Sequence, residues 1–284
     1  MHGDEIDRAG DQPHGRTPPR NGRADATPGV TIAIPNWNHE FVLPCSVRSA
    51  LRASHALRAH GVETEILVVD DCSRDGSPML LRQLEALYYA DGMRVHTLTR
   101  NVGLPAARNT ALLHATYRHI VFMDADNELL PANLHTFYRA MLQTGAAVVY
   151  GNLVWQGRDS EQQAMMSNES FQDRIIAENY IDAFALFDKT QLLDVGAYSN
   201  DLAVEAREDW ELYLHLATNG RRIIFVPLLF GIYHDLAGSM IQDAAEGHSA
   251  QRAHMRRVFD QLGVRACLPL ATRHLRYHPD IGYL

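Results

Sequence analysis

Five short runs rich in β-branched and other apolar residues recur through the first half of the chain: VTIAIP (30–35), EILVVD (65–70), MRVHTL (93–98), HIVFMD (119–124) and AAVVY (146–150). Between them, Phe41 to Ala59, Ser77 to Tyr89, Leu104 to Tyr117 and Pro131 to Gln143 carry leucines and alanines at three- and four-residue steps, the spacing of one helix face. Strands alternating with helices of this length build right-handed βαβ crossovers. The expected architecture is therefore α/β, a mostly parallel central sheet flanked by helices on both faces. Ligands on such sheets bind beyond the carboxyl ends of the strands. The polar clusters PNWN (35–38), DDCSRDGS (70–77) and DADN (124–127) each follow a strand directly, so three polar loops are expected at one edge.

Beyond Gly151 the pattern loosens. Gln156 to Asn179 is polar around Met165 and Met166 and reads as a mobile loop or lid. Periodicity returns at Ala183 to Phe187 and Lys189 to Val195, with Gly196 as a helix C-cap. Glu208 to Thr218 reads as an amphipathic helix closed by Gly220, RIIFVP (222–227) and LFGIYH (229–234) as two strands, and 244–262 as a basic C-terminal helix.

A chain of 284 residues with 46% hydrophobic and 21% charged residues has ordinary globular composition, which excludes a mainly disordered protein. Residues 1–28 lack large apolar side chains and are expected to form a tail. The net charge of −8, without a long run of like charges, offers no broad footprint for nucleic acid or an anionic membrane. No apolar run approaches the roughly 20 residues of a spanning helix, and the N-terminus has no hydrophobic signal core. Cys45, Cys72 and Cys267 form no CxxC pair, so a reducing, cytoplasmic setting is the expectation.

In DADN, Asp124 and Asp126 stand two apart at a strand end, where an extended backbone would point both carboxylates into one cavity. Hard oxygen ligands suit Mg²⁺ or Mn²⁺, whose shell is completed by water and substrate phosphates. A solvated turn is the plain alternative. In DDCSRDGS, Ser77 is a candidate helix cap and Asp75-Gly76 a turn pair. That leaves Asp70 and Asp71 at a strand end, where a carboxylate can accept hydrogen bonds from a base N–H or a ribose hydroxyl. Trp37 can stack on a base or pack in the core. NVGLPAARN (101–109) opens a helix whose first turns carry Arg108, a contact for phosphate or base. Glu208 and Asp209 start a helix, where capping alone would favour acids.

In this order the motifs PNWN, VVDDCSRDGS, NVGLPAARN, DADN, REDWEL and YHDLAGSM (233–240) resemble the family-2 nucleotide-sugar glycosyltransferases of GT-A fold, over about residues 29–242. The resemblance implies an inverting, metal-dependent transfer from a nucleoside-diphosphate sugar, a UDP-sugar favoured, to an acceptor hydroxyl on a glycan, lipid or small molecule. It implies nucleotide binding by Pro35, Trp37, Asp70, Asp71, Arg108 and Asp124. Asp126 and Asp124 would hold Mn²⁺ or Mg²⁺, with His234 as a further candidate ligand against the plainer reading of a buried strand histidine. Asp209 takes the place of the catalytic base, and Glu208 that of its orienting neighbour. The implied organisation is a tail over 1–28, a GT-A domain over 29–242 with its nucleotide-binding half ending at 127, and a C-terminal helical extension over 243–284. No transmembrane helix or QxxRW-like motif follows, which argues against a processive membrane synthase. Oligomeric state is open, a homodimer included. Two rivals stand beside this reading: a sugar-1-phosphate nucleotidyltransferase, which would carry a Gly-rich basic loop where PNWNHEF lies, and a non-catalytic nucleotide- or carbohydrate-binding module.

Overall fold

A computed structural model describes residues 27–157, 162–200, 207–236 and 248–263, with two short strand pieces at 277–278 and 282–283. Of the expected tail over 1–28, residues 1–26 lie outside the described residues, as does the Gly-Ser-Met at 238–240, whereas Thr27 and Pro28 belong to the first strand and not to a tail.

Among those residues one nine-stranded sheet is flanked by helices on both faces. In chain order its elements are β1 (Thr27–Asn36), α1 (Leu43–Arg58), β2 (Thr64–Asp70), α2 (Ser77–Tyr88), β3 (Met93–Thr97), α3 (Leu104–His114), β4 (Tyr117–Phe122), β5 (Glu128–Leu129) and α4 (Pro131–Thr144). Then follow β6 (Val148–Gln156), β7 (Gln163–Met166), β8 (Leu186–Asp188), α5 (Lys189–Asp194), α6 (Glu208–Thr218), β9 (Ile223–His234) and α7 (His248–Leu262). The strand order is β3-β2-β1-β4-β8-β6-β9-β5, with β7 beside β6. Parallel pairing runs from β3 to β4 and returns between β6 and β9, whereas β5, β7 and β8 pair antiparallel.

Strand alternation divides the core. Val30, Ile32 and Ile34 of β1, with Ile66 and Val68 of β2, face the layer formed by α1, α2 and α4. Ala33, Leu67, Val69, Ile120 and Phe122 face the opposite layer, formed by α3, α5, α6 and α7. Both faces are buried, which is why these strands read as continuous apolar runs and not as alternating ones. No described helix is long and apolar enough to cross a membrane.

Four local expectations are corrected. The helix at Ser77 is not capped by Ser77, whose hydroxyl is buried without a partner; Gly76 occupies the cap, and the Asp75 carboxylate accepts the Ser77 N–H at 3.0 Å. Gln156 to Asn179 is not wholly a loop: β6 runs on to Gln156 and β7 returns antiparallel to it, a pairing that its polar residues did not advertise. Within 222–234 a single strand forms, Ile223–His234, and not two. Pro227, which has no N–H to donate, falls with Leu228 at a register shift between Val226 and Leu229, so the ladder passes it as a bulge. Finally, Asp124 to Asn127 is a turn closed by the Asn127 N–H on the Asp124 carbonyl at 3.0 Å, not an extension of β4.

In β9, Gly231 lies against the Phe184 ring. A Cβ there would land on that ring and 2.9 Å from the Glu128 carbonyl oxygen. Gly231→Val should therefore lower stability by about 1–3 kcal/mol, the usual range for overpacking. Thermal unfolding checks this, and an unchanged midpoint would contradict the packing described.

Candidate active site

The carboxyl ends of β1, β2 and β4 and the start of α6 converge on one side of the sheet. At the end of β1, Pro35 is buried in register with Val69, and Asn36 with Asp70. Trp37, the next residue, is 50% exposed, so core packing is excluded and its ring is open to a ligand.

Both acids at the end of β2, Asp70 its last residue and Asp71 the next, are buried and already engaged. Asp70 Oδ1 accepts from Asn36 Nδ2 at 2.8 Å and from the Ser73 hydroxyl at 2.6 Å, joining the loops that follow β1 and β2. Asp71 accepts the Val102 and Gly103 N–H groups, one on each oxygen, both at 2.8 Å. It thereby holds the loop that leads into α3, where Gly103 at φ +86° adopts a conformation that L side chains rarely take. Burial raises the Asp71 pKa, the two N–H groups oppose this, and Asp70 adds to it. A carboxylate has about four lone-pair positions, so each Asp71 oxygen keeps acceptor capacity.

Arg108, buried on α3, joins two motifs far apart in sequence. Its Nη2 donates to Asp124 Oδ1 at 2.9 Å and its Nη1 to Glu208 Oε1 at 2.8 Å, while the guanidinium carbon lies 5.4 Å from the Tyr198 ring centre. Burial alone would depress its pKa, but Asp124, Tyr198 and Glu208 outweigh that and hold the charge firmly in place. The Arg108 Nε and Glu208 Oε2 are buried without partners.

Burial, and then Asp124, push the Asp126 carboxyl up to about 7, with His234 opposing. His234 Nε2 lies 3.1 Å from Glu128 Oε1, and its backbone N–H donates to Asn127 Oδ1 at 3.1 Å. At the start of α6, Asp209 Oδ2 accepts from Asn179 Nδ2 at 3.0 Å and Oδ1 from the Trp210 N–H at 2.7 Å. Asp209 is thus held by the Asn179 side chain, and Glu208 by Arg108. Burial, then Glu208 and Asp182, push the Asp209 carboxyl up to about 7.

Asp182 and Asn179 escaped the sequence reading, and Tyr233 entered it only within LFGIYH and as the first residue of the motif YHDLAGSM. Burial and then Asp124 push the Asp182 carboxyl up to about 7, and Glu208 adds to this. The Tyr233 hydroxyl is pushed up by burial, then by Asp182, Asp124, Asp126 and Asp209. The one available signal was an aspartate standing directly before the apolar run AFALF. Asp182 supports a test of sign. Its folded pKa lies above the ordinary value, so the folded protein retains a proton between about pH 4 and 7 that the unfolded chain releases, and this group's contribution to stability falls as pH rises through that window. Asp182→Asn should therefore unfold several degrees higher than the wild type at pH 8, the gap closing as the pH is lowered to about 4. Equal midpoints at pH 8 would show that the carboxyl is not so confined.

Among the described residues no group of three or more His, Cys, Asp or Glu is placed to enclose a metal ion. The pair Asp124 and Asp126 fits a different kind of site. Their mutual repulsion in a confined space leaves negative charge for a cation to neutralise, and two carboxylates suit Mg²⁺ or Mn²⁺ with the remaining positions on water and phosphate oxygens.

Residues 31–204 match the model of a family described as glycosyl transferase family 2. Succinoglycan biosynthesis protein ExoO of Rhizobium meliloti is 26% identical over 230 residues, covering 76% of this chain and 63% of that protein. The Escherichia coli UDP-Glc:alpha-D-GlcNAc-diphosphoundecaprenol beta-1,3-glucosyltransferase WfgD is 32% identical over 125 residues, covering 43% of this chain and 45% of that protein. The matches thus span about half to two thirds of the length of these curated relatives. Among solved structures, S. aureus TarS 1–349 in complex with UDP-GlcNAc superposes with a TM-score of 0.61 at 18% identity, covering 82% of this chain and 71% of that one. The mannosyltransferase PcManGT from Pyrobaculum calidifontis, in complex with GDP-Man and Mn²⁺, superposes at 0.63 and 20% identity, covering 86% and 71%. At these identities the likeness is one of fold, and that fold is GT-A.

Proposed function

The chain belongs to glycosyl transferase family 2, and from that premise we propose that it moves a sugar from a nucleoside-diphosphate sugar to an acceptor hydroxyl with inversion, Asp209 serving as base. The observation that carries this reading is the Arg108 link, which draws Asp124 and Glu208 onto one guanidinium and so sets the diphosphate end of the site beside the base.

Trp37 stacks on the nucleobase, and the remaining acceptor capacity of Asp71 takes a base N–H. Asp124 and Asp126 would hold Mn²⁺ or Mg²⁺, which when bound stabilises the negative charge growing on the departing diphosphate. Asp209 takes the proton of the acceptor hydroxyl as it attacks the anomeric carbon from the face opposite the leaving group. A pKa near 7 suits this task, since a base works best when its proton affinity lies close to the ambient pH. Asn179 keeps the Asp209 carboxylate aimed. His234 keeps its place as a candidate ligand through Nδ1, with its Nε2 held 3.1 Å from Glu128 Oε1. WfgD by its name acts on a lipid-diphosphate-linked GlcNAc, and a saccharide hydroxyl is the corresponding proposal for the acceptor here.

The test is calorimetric titration with UDP-glucose, UDP-GlcNAc and GDP-mannose in Mg²⁺ or Mn²⁺, followed by assay of the products. Slow release of the nucleoside diphosphate supports transfer. Pyrophosphate exchange would favour a nucleotidyltransferase, and binding without turnover a binding module. Trp37→Ala should weaken binding of the preferred nucleotide by about 1–3 kcal/mol, or roughly 5- to 150-fold. Unchanged affinity would remove Trp37 from the site.

A further inference from the structure

The chain from Asn179 to Asp182 is fastened to the catalytic helix at both ends. Asn179 Nδ2 donates to Asp209 Oδ2 at 3.0 Å, and the Tyr213 hydroxyl, one turn further along α6, donates to the Asp182 carbonyl at 2.8 Å. A third tie comes from the Ser167 hydroxyl, which accepts the Asp182 N–H at 3.0 Å. Tyr213 is buried, so this short segment cannot shift without disturbing α6.

Each end presents one uncommitted acceptor. Asn179 Oδ1 is buried without a hydrogen-bond partner. Of the Asp182 carboxylate, Oδ1 accepts the Phe184 N–H at 2.7 Å, and Oδ2 has no partner among the described residues. A buried acceptor left unsatisfied costs about 1–3 kcal/mol. Asn179 Oδ1 bears that cost, and the half-buried Asp182 carboxylate three residues on adds a second free acceptor; held against the proposed base, the two form a receptor for hydroxyl donors. Asp182 also feels Asp124 and Glu208, and Asp209 feels Asp182, so its carboxyl stands within reach of both ends of the site. In an inverting displacement the sugar ring lies between the leaving diphosphate and the base.

We infer that Asn179 and Asp182 form the subsite that reads hydroxyl groups of the transferred sugar, Asn179 through Oδ1 and Asp182 through Oδ2, and thereby set which sugar the protein accepts. This rests on the function proposed above. It assigns Asp182 a hydroxyl-binding role, distinct from the metal, the base and proton transfer.

The test pairs a variant with modified donors. Asp182→Asn keeps an acceptor for the Phe184 N–H and is expected to fold. Calorimetry with UDP and UDP-glucose, or GDP and GDP-mannose where the wild type prefers guanine, should show nucleoside-diphosphate affinity within about twofold of wild type. Nucleotide-sugar affinity should fall tenfold or more. Deoxyfluoro analogues of the same nucleotide sugar, whose fluorine cannot donate, supply a second measurement on the wild type itself. Replacing the hydroxyl read by Asp182 should weaken wild-type binding about tenfold and leave Asp182→Asn unaffected by that replacement. Equal losses for the bare nucleotide and the nucleotide sugar, no loss for either, or analogue losses of the same size in both proteins would overturn the inference while leaving the proposed transfer intact. A wild type that binds neither nucleotide nor nucleotide sugar would instead overturn the transfer itself, and the subsite with it.

Discussion

Asp209→Asn should lower turnover 10²- to 10⁴-fold and leave binding of the nucleotide sugar unchanged. A positioned base contributes that much, equivalent to about 2.7–5.5 kcal/mol of barrier. The substitution is nearly isosteric, and a neutral amide suits a site where burial, Glu208 and Asp182 already disfavour charge, so the variant should fold. The pH profile separates a base from a mere contact. Asp209 can accept a proton only after losing its own, so wild-type turnover should rise as the pH passes about 7, and the residual activity of the variant should not follow that rise. Near-normal turnover by the folded variant would remove Asp209 from the chemistry.

Arg108→Met should lower stability by about 3–5 kcal/mol, because it strips the shared cation from two carboxylates held in a confined space. For a chain of this size the unfolding midpoint should fall by roughly 10 °C. The mechanism makes the loss recoverable: Arg108→Met combined with Glu208→Gln should regain part of it, since one stranded charge is then removed. Arg108→Lys should rescue only partly, because a single ammonium cannot present the guanidinium's two donors to Asp124 and Glu208 together. Thermal unfolding of the four proteins decides it. An Arg108→Met midpoint within about 2 °C of wild type would mean that the link contributes little to the fold, and the reading that it sets the two ends of the site together would go with it.

These two residues differ in how far the sequence revealed them. Asp209 was legible because an acid pair opens the helix at Glu208, and that helix runs from Glu208 to Thr218 as its apolar spacing implies. Arg108 was legible as a cation near a helix start, with a nucleotide contact the expectation, but its bridge from Asp124 to Glu208, one Nη to each, was not. Asp70 and Asp71 show the same divide. Their place at the end of β2 was clear, but their bonds to Ser73 and to the Val102 and Gly103 N–H groups depend on loops that meet only after folding.

Local chemistry therefore settled the two-faced strands of the first half, the helices between them, and the strand ends at which acids and Trp37 gather, because burial period and capping are written in residues a few positions apart. Tertiary structure alone decided the passage of β9 around Pro227, the return of β7 along β6, and the meeting of Asp182, Asn179 and Asp209. Those depend on which distant backbone or side chain fills a given space and satisfies a given buried polar atom, and sequence separation carries no trace of that.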